Sequence, residues 1–220
     1  MKIGILGGSG HLGKGLVYRW AKNHEILIGS RSLEKAQKMA IEYSEELTKA
    51  YGSKIEIKGY TNKNAVKESD IVVLSVPFDG LTALLEDFGE DLKDKIVISP
   101  IVPMSYTDGF FRYTPPKGGS AALFLQKNVP KSAKVIAAFH NVPAKKLSKL
   151  DKVLEYDVIV CGDDKEAKDL VFELIKEIKN LRPLDGGGLE NAALVEPITP
   201  LLLNLAKLNK FKLPAIKIVE

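Results

Sequence analysis

The sequence predicts an α/β protein that contains a Rossmann-type doubly wound parallel sheet and a small C-terminal α/β domain. Short apolar segments alternate with helical segments along most of the 220 residues, and this alternation is typical of a parallel sheet covered by helices. A glycine-rich turn directly follows the first apolar segment, as in the strand–turn–helix units of this fold. Residues 71–76 are almost entirely apolar, which predicts a central strand buried on both faces.

The elements are predicted in chain order from apolar periodicity and capping residues. We predict strands at residues 3–6, 25–29, 54–58, 71–76, 96–98 and 134–139. Helices are predicted from Leu12, over residues 33–51 behind a capping Ser32, and over residues 81–92. Residues 105–120 contain four aromatic residues, two adjacent prolines and three glycines. We predict that they form a long loop beside the functional site, since long loops are often functional.

The pattern changes after Leu150. We predict a strand at residues 156–160, an amphipathic helix over 165–179, an extended segment at 181–185 and a largely helical segment over 189–208. Pro197 and Pro200 interrupt the last of these helices. The change predicts two domains, residues 1–150 with the nucleotide-binding sheet and residues 151–220 as a smaller C-terminal unit.

Composition excludes several classes of protein. The net charge of +4 arises from 32 basic and 28 acidic residues without a long basic stretch, so we expect no nucleic-acid partner. Cys161 is the single cysteine, which excludes an intrachain disulfide, and we expect no metal site. We find no run of about 18 apolar residues, the length of a membrane helix, and no secretory signal before the first strand. We therefore expect a cytoplasmic protein without a membrane partner.

The turn after the first strand matches the phosphate-binding pattern G-x-G-x-x-G. Its six residues are Gly8, Ser9, Gly10, His11, Leu12 and Gly13. We assign Gly8 to the tight turn, Gly10 to close approach of a pyrophosphate, and Gly13 to close packing of the helix on the strand. The amides and the positive dipole of the helix N-terminus would then bind the phosphates. The alternative is a glycine-rich turn that binds no ligand.

The end of the second strand distinguishes NADP from NAD. NAD-binding units usually have an acidic residue there, which binds the ribose 2′-hydroxyl, whereas this sequence has Gly29-Ser30-Arg31-Ser32. An arginine fork and a serine hydroxyl suit a 2′-phosphate, and Lys35 can reach the same phosphate from the next helix. We therefore predict that Ser30, Arg31 and Lys35 bind NADP(H). The alternative is a solvated basic surface.

Motifs along nearly the whole chain carry a resemblance to a known family. They are ILGGSGHLGKGL at residues 5–16, GSR at 29–31, VISPIVP at 97–103, HNVPA at 140–144, VCGDD at 160–164, LRPLD at 181–185 and LVEPITPL at 194–201. These segments resemble the archaeal NADPH-dependent coenzyme F420 reductases, or F420H2:NADP oxidoreductases. The resemblance implies hydride transfer between NADP(H) and coenzyme F420, a deazaflavin co-substrate. It also implies a homodimer in which residues 151–220 close the deazaflavin cleft.

The resemblance also assigns roles to residues by position. It places the 2′-phosphate ligands at Ser30, Arg31 and Lys35, and the contacts of the glycine turn at Ser9, Gly10, His11 and Leu12. The deazaflavin would lie beside Val102, His140, Val142 and apolar residues of the last helix near Leu203 and Leu205. The sequence departs from the family pattern at Ser9 and Asn141, where we expect threonine, and along residues 107–119.

His140 follows one predicted strand, and Val76 and Pro77 lie at the end of another, at the sheet edge where open α/β sheets bind ligands. We hypothesise that His140 positions the deazaflavin ring by a hydrogen bond, and that Val76 and Pro77 form a rigid apolar wall against the cofactor. The alternatives are a histidine bonded to nearby backbone and a proline that only ends a strand. Arg112 and Lys117 either attract the anionic tail of coenzyme F420 or are solvated loop charges.

Three functions remain open at this point. The first is direct ring-to-ring hydride transfer between NADP(H) and coenzyme F420, in which the cofactors supply the chemistry. The second is an NADPH-dependent reductase of a flavin, a ferric complex or an imine, because a stacking cleft does not select one acceptor. The third is a non-catalytic NADP-sensing protein, which would bind NADPH without turnover.

Overall fold

The computed structural model describes residues 1–219 and contains ten strands and nine α-helices within that range. The strands are β1 Lys2–Leu6, β2 Glu25–Ser30, β3 Ile57–Thr61, β4 Ile71–Leu74, β5 Ile96–Ser99, β6 Met104–Thr107, β7 Phe110–Tyr113, β8 Lys134–Ala137, β9 Tyr156–Gly162 and β10 Leu181–Asp185. The helices are α1 His11–Trp20, α2 Leu33–Tyr51, α3 Asn62–Glu68, α4 Leu81–Phe88, α5 Ala121–Lys127, α6 Ala144–Leu147, α7 Lys165–Lys176, α8 Ala192–Val195 and α9 Ile198–Asn209.

Eight of the strands form one sheet in the order β10-β9-β8-β5-β4-β1-β2-β3. Neighbouring strands are parallel, except that β9 is antiparallel to β8. Strands β2 and β3 extend to one side of β1, and β4 pairs with its other side. The sheet therefore extends to one side of β1 through β2 and β3 and to the other side from β4 onward. Open α/β sheets bind ligands at such a switch point, which here lies between β1 and β4. The predicted Rossmann-type sheet is confirmed.

Both faces of the central strands are buried, as the apolar segment at residues 71–76 predicted. Ile3 and Ile5 of β1 belong to one apolar cluster, and Leu6 belongs to a second cluster that includes Val72 of β4. Trp20 at the end of α1 is fully buried, and its indole nitrogen donates a hydrogen bond of 2.9 Å to the Leu174 carbonyl of α7. The bond ties the N-terminal helix to the C-terminal part of the chain.

The C-terminal strands β9 and β10 extend the same sheet as β8. Asp157 of β9 is almost completely buried and accepts two hydrogen bonds from Arg182 of β10, of 2.7 and 2.9 Å. Its backbone N–H also donates to the Ile216 carbonyl, which fixes the segment after α9 beside β9. The sheet itself has no break at residue 150, and the division into domains 1–150 and 151–220 stays a prediction.

The predicted loop at residues 105–120 was wrong, because its first half is an antiparallel β-hairpin formed by β6 and β7. The two residues between the strands, Asp108 and Gly109, have φ angles of 53° and 81°. Positive φ at both central residues is the geometry of a two-residue hairpin turn, and Asp-Gly is a favoured sequence for it. This dipeptide was the signal that predicts the hairpin.

Several element boundaries also differ from the predictions. Strand β3 covers residues 57–61 instead of 54–58, because the Ile55 N–H bonds to the Thr48 hydroxyl and the Ile57 N–H bonds to the Ser44 hydroxyl of α2. Strand β8 ends at residue 137 and α7 at residue 176. Helices α3, α5 and α6 were not predicted. Within residues 1–219, none of the helices combines the length and the apolar character needed to span a bilayer.

Candidate active site at the ends of the parallel strands

The turn between β1 and α1 depends on three glycines. Gly7 has a φ of +80°, and a Cβ atom there would lie 2.0 Å from the Ser75 carbonyl oxygen. Gly7, and not Gly8 as we predicted, is therefore the residue that makes the tight turn. A Cβ on Gly8 would lie 2.9 Å from Ile28 Cγ2, so Gly8 permits close packing against β2. A Cβ on Gly13 would lie 2.5 Å from the Gly7 oxygen, as expected for close packing of helix on turn.

The N-terminus of α1 is open to an anion. Gly10 stands at the N-cap position without a side chain to cap the helix, and no acidic residue lies in the first turn. The first backbone N–H groups of a helix have no partner inside the helix, and the helix dipole favours negative charge there. His11 is exposed and Leu12 half-buried at this end of the helix. The arrangement suits a phosphate held by main-chain amides.

A cleft of about 820 Å³ extends from this turn along the ends of β1, β2, β3 and β4. The predicted residues that line it are Ser9, Gly10, Ser30, Arg31, Lys35, Val76 and Pro77. Gly8, His11, Leu12 and Gly13 lie in the turn and the first helical turn but do not line the cleft. The volume falls in the range of small-molecule and cofactor sites, about 300–1,000 Å³. The switch point therefore holds a cleft large enough for a nucleotide.

The cations at one end of the cleft have no acidic partner. Arg31 and Lys35 are exposed, and neither makes an ion pair with any residue between 1 and 219. Ser32 caps α2 by accepting a hydrogen bond of 3.3 Å from the Lys35 backbone N–H, so the Lys35 side chain is brought beside the end of β2. Two unpaired cations beside the Ser30 hydroxyl fit a phosphate dianion.

The opposite wall of the cleft follows β4. The Ser75 backbone N–H donates to the Leu6 carbonyl at 3.0 Å, which fixes the end of β4 relative to the glycine turn. Val76 and Pro77 then form an apolar surface. Sequence reasoning missed the remainder of the cleft, which includes Thr61, Asn62, Ala83, Leu84 and Asp87. A correct end for β3 would have indicated Thr61 and Asn62, since ligands bind beyond the carboxyl ends of strands.

His140 lies beyond the end of β8, outside the residues that line this cleft. Its side chain is 5% exposed, and within the described chain neither ring nitrogen has a hydrogen-bond partner. Burial lowers the pKa of His140 to about 4, against a smaller opposing effect of the Ile101 backbone, whose geometry does not reach that of a hydrogen bond. The role of His140 therefore stays a prediction.

Further buried polar atoms lie at the ends of β5 and β8. Ser99 is fully buried, and its hydroxyl has no partner among residues 1–219. Asn141 donates a hydrogen bond of 2.6 Å to the Asp157 carbonyl, while its own side-chain oxygen is unpaired in the same part of the chain. Val142 is buried beside them in sequence, and Val102 is half-buried. The buried Ser99 and Asn141 oxygens can therefore each form a further hydrogen bond, and the apolar residues Val102 and Val142 are close to them in sequence.

A buried carboxylate, Glu196, connects the C-terminal helices to the hairpin and to α5. It accepts hydrogen bonds from the Tyr113 hydroxyl at 2.8 Å and from the Ala121 and Ala122 backbone N–H groups at 2.9 and 3.0 Å. Burial raises the pKa of Glu196, and these three bonds oppose the rise. Sequence reasoning missed this residue, because its partners lie more than 70 positions away.

Helix α9 contacts both the hairpin and the segment that contains His140. Thr199 donates a hydrogen bond of 2.6 Å to the His140 carbonyl. The Asn204 side chain bonds to the N–H and the carbonyl of Phe111, at 2.9 and 2.8 Å. Leu203 is half-buried and Leu205 is exposed on this helix. The C-terminal helix therefore lies over the edge that begins at His140.

The charged residues of the hairpin region lie outside the cleft. Arg112 and Lys117 are exposed and do not line it. The Arg112 guanidinium is 3.9 Å from the Asp108 carboxylate. An exposed pair at that distance is a weak interaction, so both residues fit the alternative of solvated surface charges.

Comparison with known proteins shows matches along the chain. A family described as NADP oxidoreductase coenzyme F420-dependent matches residues 2–103. The F420-dependent NADP reductase of Methanocaldococcus jannaschii is 43% identical, with 100% of this chain and 99% of that protein covered. The F420-dependent NADP reductase of Methanothermobacter marburgensis is 37% identical over 100% of this chain and 99% of that protein.

Solved structures show the same fold at lower identity. A candidate F420-dependent NADP reductase from Arthrobacter sp. FB24 has a TM-score of 0.83 and 22% identity, with 100% of each chain covered. The reductive aminase of Aspergillus terreus has a TM-score of 0.63 and 12% identity, over 95% of this chain and 62% of that chain. At these identities the likeness concerns the fold alone.

Proposed function

The chain belongs to the family of F420-dependent NADP reductases, and on that premise we propose that it transfers a hydride between NADP(H) and coenzyme F420. NADP(H) binds in the cleft at the ends of β1, β2 and β4, with its pyrophosphate at the N-terminus of α1. Ser30, Arg31 and Lys35 hold the 2′-phosphate. The deazaflavin binds towards Val102, His140 and Val142, at the ends of β5 and β8.

The pair of unpaired cations carries this proposal for NADP(H). Arg31 and Lys35 line the cleft together with Ser30, and no acidic residue stands at the end of β2. A carboxylate there would repel a 2′-phosphate, whereas a guanidinium fork and a hydroxyl bind it well. The same cations have no counterpart to bind in NAD, which lacks that phosphate.

When bound, the nicotinamide and deazaflavin rings supply the hydride donor and acceptor. The residues of the chain bind, orient and shield them. Val76 and Pro77 form the apolar wall on the β4 side, and the bond between Ser75 N–H and the Leu6 carbonyl holds that wall against the phosphate-binding turn. An apolar wall excludes water from the reacting rings, and fixed positions for both rings lower the entropic part of the barrier.

His140 positions the deazaflavin in this proposal. Its pKa of about 4 keeps the imidazole neutral at pH 7, so it offers a hydrogen bond and not a proton. The two unpaired ring nitrogens support the role. The ring is also enclosed, so contact with the deazaflavin requires displacement of the residues that cover it.

We assign the C-terminal part to closure of the deazaflavin cleft and to assembly. The hydrogen bond from Thr199 to the His140 carbonyl supports closure by α9. Leu194, Leu201 and Leu208 are 73%, 56% and 63% exposed on α8 and α9. Exposed apolar surface of this kind often marks a protein interface and supports a homodimer. The single cysteine supports a reducing, cytoplasmic location, and we propose no nucleic-acid or membrane partner.

A steady-state assay with NADPH and oxidised coenzyme F420 tests the proposal. The loss of deazaflavin absorbance is followed, with NADH in place of NADPH and flavin mononucleotide in place of F420 as parallel controls. We expect rapid reduction of F420 with NADPH and little with NADH. Binding of NADPH without reduction of F420 would contradict the proposed acceptor. Reduction of flavin mononucleotide alone would indicate a different reductase.

A further inference from the structure

We propose that Asn62 recognises the adenine base of NADP(H) by a hydrogen bond and is a specificity-determining residue of the cleft. The inference rests on the proposed binding of NADP(H) in this cleft. Asn62 is the first residue of α3, directly after β3. It lines the cleft although it is only 8% exposed. A polar side chain buried to this degree in a ligand cleft needs a partner.

The side-chain oxygen of Asn62 has no such partner among the described residues. Its Oδ1 atom is buried without a hydrogen bond to any residue from 1 to 219. The same atom lies 3.0 Å from the position of a Cβ on Gly29, so the amide packs against the bare backbone of β2. Oδ1 faces Gly29 while the residue lines the cleft, so we infer that the NH₂ group, at the other end of the amide, is available to a ligand there. No bond fixes either orientation of the amide, so a ligand can use it as donor or as acceptor.

The surroundings of Asn62 suit a neutral heteroaromatic ring. Ala83 and Leu84 of α4 provide apolar surface in the same cleft. Asp87 also lines this end, and its carboxylate lies 3.7 Å from the Lys63 ammonium, so Lys63 is already paired and is not a free cation for a phosphate. The cations that suit a phosphate, Arg31 and Lys35, lie at the start of α2. Asparagine amides pair with the donor and acceptor groups on the edge of adenine, so the base is the part of the dinucleotide that fits here.

A contact between α3 and α4 fixes this end of the cleft. The Lys63 ammonium donates a hydrogen bond of 2.8 Å to the Asp87 carbonyl and lies 3.7 Å from the Asp87 carboxylate. Lys63 is the neighbour of Asn62 in sequence, so the contact holds Asn62 opposite α4. A pocket with both walls held in place can select a ring by its edge, because the ring cannot move away from a mismatched group.

The substitution Asn62→Ala tests the proposal through the binding of two nucleotides, 2′,5′-ADP and 5′-ADP, measured by calorimetry. Both ligands contain adenine, but only the first has a 2′-phosphate. We expect Asn62→Ala to weaken both by about three- to tenfold, the effect of one neutral hydrogen bond. Arg31→Ala should weaken 2′,5′-ADP alone. Asn64→Ala, an exposed position on the same helix, is the matched control and should weaken neither ligand.

Thermal unfolding separates this role from a structural one. Asn62→Ala removes no side-chain hydrogen bond to residues 1–219 and deletes a buried unpaired oxygen, so the midpoint of unfolding should stay unchanged or rise. Unchanged binding of both nucleotides by Asn62→Ala would overturn the proposal while the function stands. A loss confined to 2′,5′-ADP would overturn it in favour of a phosphate contact. If the wild-type protein binds no 2′,5′-ADP, the proposed NADP(H) site fails as well.

Discussion

The nucleotide cleft and the edge beyond β5 and β8 use polar groups in opposite ways. In the cleft, Arg31 and Lys35 are exposed, unpaired among the described residues and ready for a charged ligand. In the other region, His140 beyond the end of β8 is 5% exposed, and Glu196 between α8 and α9 is fully buried. Glu196 is satisfied by distant parts of the chain, whereas His140 is not satisfied by protein atoms in the described range. The cations of the nucleotide cleft are available to a phosphate, whereas Glu196 in the other region serves as an acceptor for the protein's own groups.

The largest effect is expected when the buried Glu196 carboxylate is removed, because the fold itself depends on it. Glu196→Ala leaves the Ala121 and Ala122 amides without their acceptor inside the protein. Each unsatisfied buried group costs about 1–3 kcal/mol, so we expect the free energy of unfolding in urea to fall by about 4 kcal/mol. Glu196 is not among the residues that line the nucleotide cleft. The folded variant should therefore keep its affinity for 2′,5′-ADP.

Glu196→Gln provides the matched control, because glutamine has nearly the same shape and keeps one acceptor oxygen. It should lose clearly less stability than the alanine variant. Equal losses in the two variants would show that the lost carboxylate acceptor determines the stability and that the volume of the side chain does not. If Glu196→Ala lowered the affinity for 2′,5′-ADP as much as it lowered F420 reductase activity, the nucleotide cleft and the region around His140 and Glu196 would not be separable.

The second prediction concerns the pH dependence of stability that His140 creates. Burial lowers its pKa to about 4, whereas in the unfolded chain a histidine has a pKa of about 6.5. Between these values the unfolded state binds more protons, so stability should fall as the pH falls from about 6.5 to about 4. At about 1.4 kcal/mol for each pKa unit, the contribution approaches roughly 3 kcal/mol.

Unfolding in urea at pH 7 and at pH 4.5 measures this contribution when the wild type is compared with His140→Gln. Carboxylates also titrate in this range, but they affect both proteins alike, and the difference isolates His140. The variant should lose less stability on acidification than the wild type does. Equal losses would mean that solvent reaches His140 and that the region beyond β5 and β8 is as accessible to water as the nucleotide cleft.

The same contrast explains what the sequence could predict. The residues of the glycine turn are contiguous in sequence, and so are Ser30 and Arg31. Each group stands at the end of the strand that positions it, so local spacing predicted its place. Glu196 depends on Tyr113, Ala121 and Ala122, a set that exists only after the hairpin and α5 have packed against α8. No local pattern encodes such a contact.

Errors within the predictable region have local causes. The turn was assigned to Gly8, because G-x-G-x-x-G begins there, but the positive φ belongs to Gly7, which packs against the Ser75 carbonyl of the neighbouring strand end. Strand β3 was placed three residues early, since alternation at residues 54–58 suggested pairing, whereas α2 hydroxyl groups hold that segment. The shift concealed Thr61 and Asn62 at the cleft.

The third prediction sharpens the comparison at the nucleotide cleft. Arg31→Ala should lower the affinity for NADPH by about 10- to 100-fold, the value of a charge-assisted hydrogen-bonded contact, near 2 kcal/mol. The affinity for NADH should stay unchanged, because NADH has no 2′-phosphate. Arg31→Lys keeps the charge but loses the planar fork, so it should fall between the wild type and the alanine variant.

Fluorescence titration with both nucleotides measures these affinities, and Arg112→Ala, an exposed arginine that does not line the cleft, serves as the control. The free energy of unfolding should not change in Arg31→Ala, since Arg31 makes no ion pair within residues 1–219. An equal loss of affinity for NADPH and NADH would assign Arg31 to the base or the ribose. A selective loss at constant stability would show that this region holds its charges for the ligand and not for the fold, the reverse of Glu196.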